Sequence, residues 1–183
     1  QLTSMEIANL LCAIVAKQSK RSLVAAFATT VQFVELNRKQ SVLQMAKTVR
    51  TSGTKVGHGT NFSACIAALR KKKTRVDRII VLTDMQSYGE NYSGTGTVQD
   101  ELLKYRREVN KDVYFHAVNL LGHSVVMAQP ATRVQCMSGF SEKFIDNVAK
   151  FEKPEQGSNL APGLADIRER FSLAKALDPK PRN

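Results

Sequence analysis

Several things are scarce in this chain, and each scarcity excludes something. No apolar stretch approaches the ~18–20 uninterrupted residues that a membrane span needs. The first apolar segment, MEIANLLCAIVA, is too short and has no basic leader, so it does not read as a signal peptide. Cysteine is limited to Cys12, Cys65 and Cys136, far apart and without a CxxC pair. That pattern argues against a disulfide framework or a zinc site and for reduced, buried thiols in a cytoplasmic protein. His58, His116 and His123 lack metal-ligand spacing. No GxSxG elbow and no GxxxxGK[ST] loop occurs, and GHGTNF lacks the third glycine of a dinucleotide loop. A nucleotide-dependent enzyme therefore has little support, and the chain reads as non-enzymatic.

Acidic residues are also few. Against 27 Lys and Arg stand 16 Asp and Glu, giving a net charge of +11 in 183 residues. An excess on this scale attracts polyanions through phosphate contacts and counterion release. Two basic clusters stand out. Arg70, Lys71, Lys72 and Lys73, with Arg75 and Arg78 close by, end one expected helix; Lys104, Arg106 and Arg107 lie on the next. Cations at a helix carboxyl end also suit the helix dipole, so a purely structural role is equally open. The candidate phosphate-contacting residues are Lys71, Lys72, Lys73, Arg75, Arg106 and Arg107.

Apolar periodicity supplies the architecture. Thr3 and Glu6 have capping-box spacing ahead of a helix to about Gln18, with Ile7, Leu10, Leu11, Ile14 and Val15 on one face. SLVAAFA (Ser22 to Ala28) and VQFVEL (Val31 to Leu36) read as strands of an edge hairpin. Ser41 caps a helix to about Arg50, and a second helix covers Ser63 to Lys72 with Ile66 and Leu69 inward. RIIVLT (Arg78 to Thr83) is a buried strand. Val98 to Val109 is an amphipathic helix with Leu102, Leu103 and Tyr105 toward the core. VYFHAV (Val113 to Val118) is a further strand, Val125 to Met127 and Val134 to Met137 are short apolar segments, and Glu142 to Phe151 is helical. Apolar strands separated by helices predict an α/β fold: a doubly wound, mostly parallel sheet with helices on both faces. Residues 153–183 read as a linker and an amphipathic helix carrying Leu164, Ile167, Phe171, Ala174 and Leu177.

In such a sheet, ligands bind at the rim formed by the strand carboxyl ends. Asp84 follows RIIVLT at that rim, and Thr60 opens the helix after GHG. A hydroxyl and a carboxylate are hard oxygen ligands suited to Mg²⁺. Helix capping by Thr60 or Asn61 explains the same residues without a metal.

GHGTNFSACIAAL followed by RVDRIIVLTDMQSYG resembles the von Willebrand factor A module of the Ro autoantigen, or TROVE-domain, RNA-binding family. The likeness continues through LLKYRREVNKDVYFHAVNL and TRVQCMSGFSEKFIDNVAKF. It implies a metal-ion-dependent adhesion site in which Thr60 and Asp84 join an Asp-x-Ser-x-Ser motif from the first, central strand. That motif is absent, and with it the strand. Gln1 stands close to where the motif should have just ended, so residues 1–152 are expected to form the A-type domain without its first strand. Mg²⁺ binding then requires that a segment upstream of Gln1, or a separate chain, supplies the strand. The resemblance further implies small noncoding or misfolded RNA as ligand and an upstream ring of helical repeats. A protein-protein interaction module, using the metal site or the carboxyl-terminal helix, is the alternative.

Overall fold

The computed structural model describes residues 3–57, 61–83, 97–121, 131–139 and 143–153. Helix α1 (Ser4–Gln18) opens on the expected capping box. The Thr3 hydroxyl accepts from the Glu6 amide at 3.2 Å, and the Glu6 carboxylate accepts from the Thr3 amide at 2.9 Å. Strands β1 (Val24–Phe27) and β2 (Val31–Val34) form the hairpin, antiparallel, with Phe27 opposite Val31. Helix α2 (Val42–Gly53) starts at a second capping box, Ser41 with Gln44, and runs three residues past the sequence expectation. Helix α3 (Phe62–Lys71) is capped by the Asn61 side chain, which accepts from the Ala64 amide at 3.1 Å.

Strand β3 (Arg78–Thr83) pairs in parallel with β4 (Tyr114–Asn119), and β4 in parallel with β5 (Val134–Ser138). Helix α4 (Val98–Glu108) connects β3 to β4, and α5 (Phe144–Glu152) follows β5. A parallel pair with an intervening helix is the expected crossover unit. The core between α3, α4 and this sheet contains Ile66, Leu102, Tyr105 and Phe115, each at most 1% exposed. Tyr105 closes the base of that core. Its hydroxyl donates to the Thr74 carbonyl at 2.8 Å and accepts from the Val76 amide at 3.0 Å. Leu103, expected inward, is instead 54% exposed, because successive positions on a helix diverge by 100° and α4 buries the Leu102–Tyr105 face. His116 is wholly buried and satisfied, with Nδ1 against Gln135 Oε1 and Nε2 against Glu152 Oε1; Glu152 also receives the Arg78 fork. This cluster fastens α5 to the sheet.

The sheet is in two pieces. Among the described residues β1–β2 and β3–β4–β5 share no ladder. Their relative direction follows from α3. The Asn61 amide donates to the Ala28 carbonyl at 2.9 Å, so α3 starts at the carboxyl end of β1. Because α3 leads back to the amino end of β3, β1 and β3 run the same way. They are the two banks of an interrupted parallel sheet.

Candidate functional site

Between the banks lies a cavity of about 510 Å³. Its sides are β1 (Ala25, Ala26, Phe27) and β3 (Arg78 to Thr83). Its floor and roof are α1, through Met5, Ala8, Asn9 and Cys12, and α3, through Phe62, Cys65, Ile66 and Leu69. The alternation of β3 explains both faces. Ile79 and Val81 pack into the α3 core, while Ile80 and Leu82 pack with Leu11, Ile7 and Ala8 of α1. Both faces of the slot are apolar, and both edges are backbone.

The ladders identify which backbone groups face the slot. Tyr114 donates to the Asp77 carbonyl and Leu120 to the Thr83 carbonyl, so the odd-numbered residues of β3 bond to β4. The amides and carbonyls of Arg78, Ile80 and Leu82 point the other way, into the slot. On β1, Ala28 donates to Thr30, so by the antiparallel alternation Val24 and Ala26 bond to β2, and Ala25 and Phe27 face the slot. A side-chain donor is orphaned beside them: the Nδ2 of Asn9 is buried without an acceptor among the described residues. Burial raises the pKa of the Cys12 thiol to about 11 and of the Cys65 thiol to about 12, which suits apolar lining rather than nucleophiles.

Thr60 and Asp84 both lie outside the described residues. Their described neighbours sit at the expected rim: Asn61 on the carboxyl end of β1, Thr83 closing β3. Gly57, the first residue of GHGT, has φ +91°, and a Cβ there would come within 2.7 Å of the Thr29 hydroxyl, so the position admits glycine alone without strain. Among the described residues no three His, Cys, Asp or Glu side chains cluster as for a metal.

The six candidate RNA contacts are not equally free. Arg106 is turned inward, its Nη2 donating to the Val113 carbonyl at 3.0 Å and the Arg133 carbonyl at 3.2 Å. Lys73 and Arg107 pair with Glu108, which also holds Arg70. Glu101, only 2% exposed, takes Arg70 at 3.1 Å and Lys104 at 2.8 Å. Lys72 sits 4.6 Å over the Phe33 ring. Lys71 and Arg75 are exposed. Sequence reading caught the cations of α3 and α4 but not the two carboxylates of α4 that thread between them. Those glutamates are spaced seven apart, two helical turns, and so share a face.

A parallel α/β sheet with helices on both faces is the architecture of the von Willebrand factor A class. Residues 1–152 match the family described as the Ro60 vWA domain, and the chain belongs to that family. Six solved chains match, among them the Deinococcus radiodurans RO (RSR) protein, with TM-score 0.64 and 16% identity over 79% of this chain. The match spans 28% of that structure's length. No curated protein sequence matches the chain. No described helix is long and apolar enough to cross a membrane.

Proposed function

We propose that the chain is the A-type module of a Ro-like ribonucleoprotein and contributes to binding small noncoding or misfolded RNA, without catalysis. The observation that carries this reading is the net charge of +11 on a domain of the Ro family. Phosphate contacts by Lys and Arg release counterions, so affinity for RNA should fall linearly on a log–log plot against salt. Titration of the full chain with single-stranded RNA at several salt concentrations tests it. Salt-independent binding, or none at low salt, refutes it.

The module is completed by one extended segment that fills the slot as a central strand, from the same polypeptide upstream or from a separate chain. Two parallel edges with inward-facing amides and carbonyls, between two apolar helix faces, suit a strand apolar on both sides. Such a segment would bring its own ligands to the rim marked by Asn61 and Thr83, next in sequence to Thr60 and Asp84, and Mg²⁺ would bind there only in its presence. Isothermal titration of Mg²⁺ with and without the segment checks that dependence.

A further inference from the structure

The positive charge of the chain is not concentrated where its densest basic runs are. Residues 70–112 carry ten Lys and Arg but seven Asp and Glu. Residues 17–55 carry eight Lys and Arg against the single acid Glu35. The fold gathers five of those eight at one place. Arg38, in the loop after β2, lays its guanidinium across the carboxyl end of α1, donating to the carbonyls of Lys17 at 3.0 Å and Lys20 at 2.7 Å and also to that of Ser19. Lys17 reaches back to the Gln40 carbonyl at 2.5 Å. Lys20, Arg21 and Lys39 are exposed around this clasp. None of the five has a carboxylate partner among the described residues.

We infer that the clasp of Lys17, Lys20, Arg21, Arg38 and Lys39 is a phosphate-binding surface for single-stranded RNA. The inference rests on the RNA-binding reading above and moves its contact surface away from α3 and α4. Bonds to carbonyls fix Lys17 and Arg38 without neutralising them, whereas the α3–α4 cations spend much of their field on Glu101 and Glu108. The α1 carboxyl terminus offsets only about half a charge. Gln18, Ser22 and Asn37, all exposed between the cations, add neutral hydrogen-bonding groups of the kind that meet phosphate and sugar oxygens. The patch lies at the amino end of β1, opposite the rim where Asn61 meets Ala28, so RNA there would leave that rim open.

The test compares two triple variants of the full chain with equal change in net charge: Lys20→Glu, Arg21→Glu and Lys39→Glu against Lys71→Glu, Arg75→Glu and Arg107→Glu. The probe is a single-stranded RNA of about 20 nucleotides, and circular dichroism confirms that each variant is folded. With a salt slope of ~0.7 per contact on single strands, three lost contacts lower the slope by ~2 and the affinity at 0.1 M salt by ~100-fold. The α3–α4 set should lose only the few-fold that a distant field supplies. Equal losses in the two sets, or a larger loss from the α3–α4 set, overturn the surface while leaving RNA binding intact. No RNA binding by the parent chain overturns the surface and the RNA reading together. Capture of the parent by anionic lipid vesicles with RNA ignored also refutes it, since the patch would then serve a membrane.

Discussion

If the slot takes a strand, a peptide should behave there as a ligand of the folded state with backbone-specific affinity. Consider a six-residue extended apolar peptide, about 20 Å long at ~3.3 Å per residue, added to the full chain. At a concentration 100 times its Kd it stabilises the fold by ~2.7 kcal/mol. For a chain of this size that raises Tm by ~5–10 °C. Three residues of β3, Arg78, Ile80 and Leu82, present carbonyls to the slot, so up to three peptide amides donate to that bank. N-methylation of those three amides removes bonds worth ~1 kcal/mol each, ~3 kcal/mol in all. Affinity should fall ~150-fold. At the same concentration the methylated peptide then shifts Tm by only ~1 °C. Methylating instead the amides that meet Ala25 and Phe27 of β1 should also cost affinity, because a central strand is bonded on both sides. Scanning calorimetry reads all three. Equal Tm shifts from the free and methylated peptides would mean that the cavity takes apolar side chains without a ladder, and the interrupted-sheet argument would fail.

The same slot can be followed through its thiols. With pKa values raised to about 11 and about 12, Cys12 and Cys65 should react with iodoacetamide at pH 8 roughly 10²–10³-fold more slowly than an ordinary thiol, and more slowly still with the strand peptide bound; fast labelling of either would contradict their burial. Tyr105→Phe leaves the Thr74 carbonyl and the Val76 amide without their partner and should cost ~1–3 kcal/mol by urea denaturation, with little change in slope. The Arg70 guanidinium, hydrogen-bonded to Glu108, holds that carboxyl below its ordinary range. Its contribution to stability is present above the unfolded pKa and disappears as pH falls through the lower folded one. Glu108→Gln should therefore lose stability at neutral pH and show a flatter decline of Tm below ~pH 4 than the parent; parallel curves would remove the ion pair from the acid response.

The elements were readable where a local signal and the tertiary outcome agree. The capping box of Thr3 with Glu6 and the cap at Ser41 mark helix starts that the structure reproduces to the residue. The continuous apolar run before Asp84 is β3, and its burial on both faces follows from α1 on one side and α3 on the other. Leu103, apolar and next to Leu102, lies a further 100° round α4 and faces solvent, which its residue type alone does not show. Arg106, a candidate RNA contact by sequence, turns inward instead. A guanidinium that bonds the carbonyls of Val113, just before β4, and Arg133, just before β5, depends on a register that no short window contains. Thr60 and Asp84 lie outside the described residues, so the geometry reaches only their neighbours Asn61 and Thr83.

What holds the two banks together without a strand between them is helical. Ile7, Ala8 and Leu11 of α1 pack on Ile80 and Leu82 of β3, while Ala13 and Ala16 on its other side pack with Val24 and Ala26 of β1 and Met45 of α2. On the opposite face Phe62 of α3 meets Phe27 of β1 with ring centroids 4.3 Å apart, and Ile66 and Leu69 reach the core of β3 and β4. Each helix therefore straddles the gap, one above and one below. Helix packing is tolerant of small shifts because its contacts are non-directional, whereas a ladder fixes register through directed bonds. Among the described residues the banks share no ladder and are positioned mainly by side-chain packing, with the Asn61–Ala28 bond tying α3 to β1, and a strand that enters between them adds the ladder bonds. The orphaned Asn9 amide lies on the same lining, so a carbonyl or side-chain oxygen of the incoming segment near α1 would satisfy a buried donor that has no partner among the described residues. Asn9→Leu removes that donor's desolvation penalty in the empty chain but forfeits its bond in the filled one. The substitution should stabilise the chain alone by ~1 kcal/mol or more and reduce the further stabilisation on adding the peptide. A variant that loses stability in both states would place the Asn9 partner elsewhere.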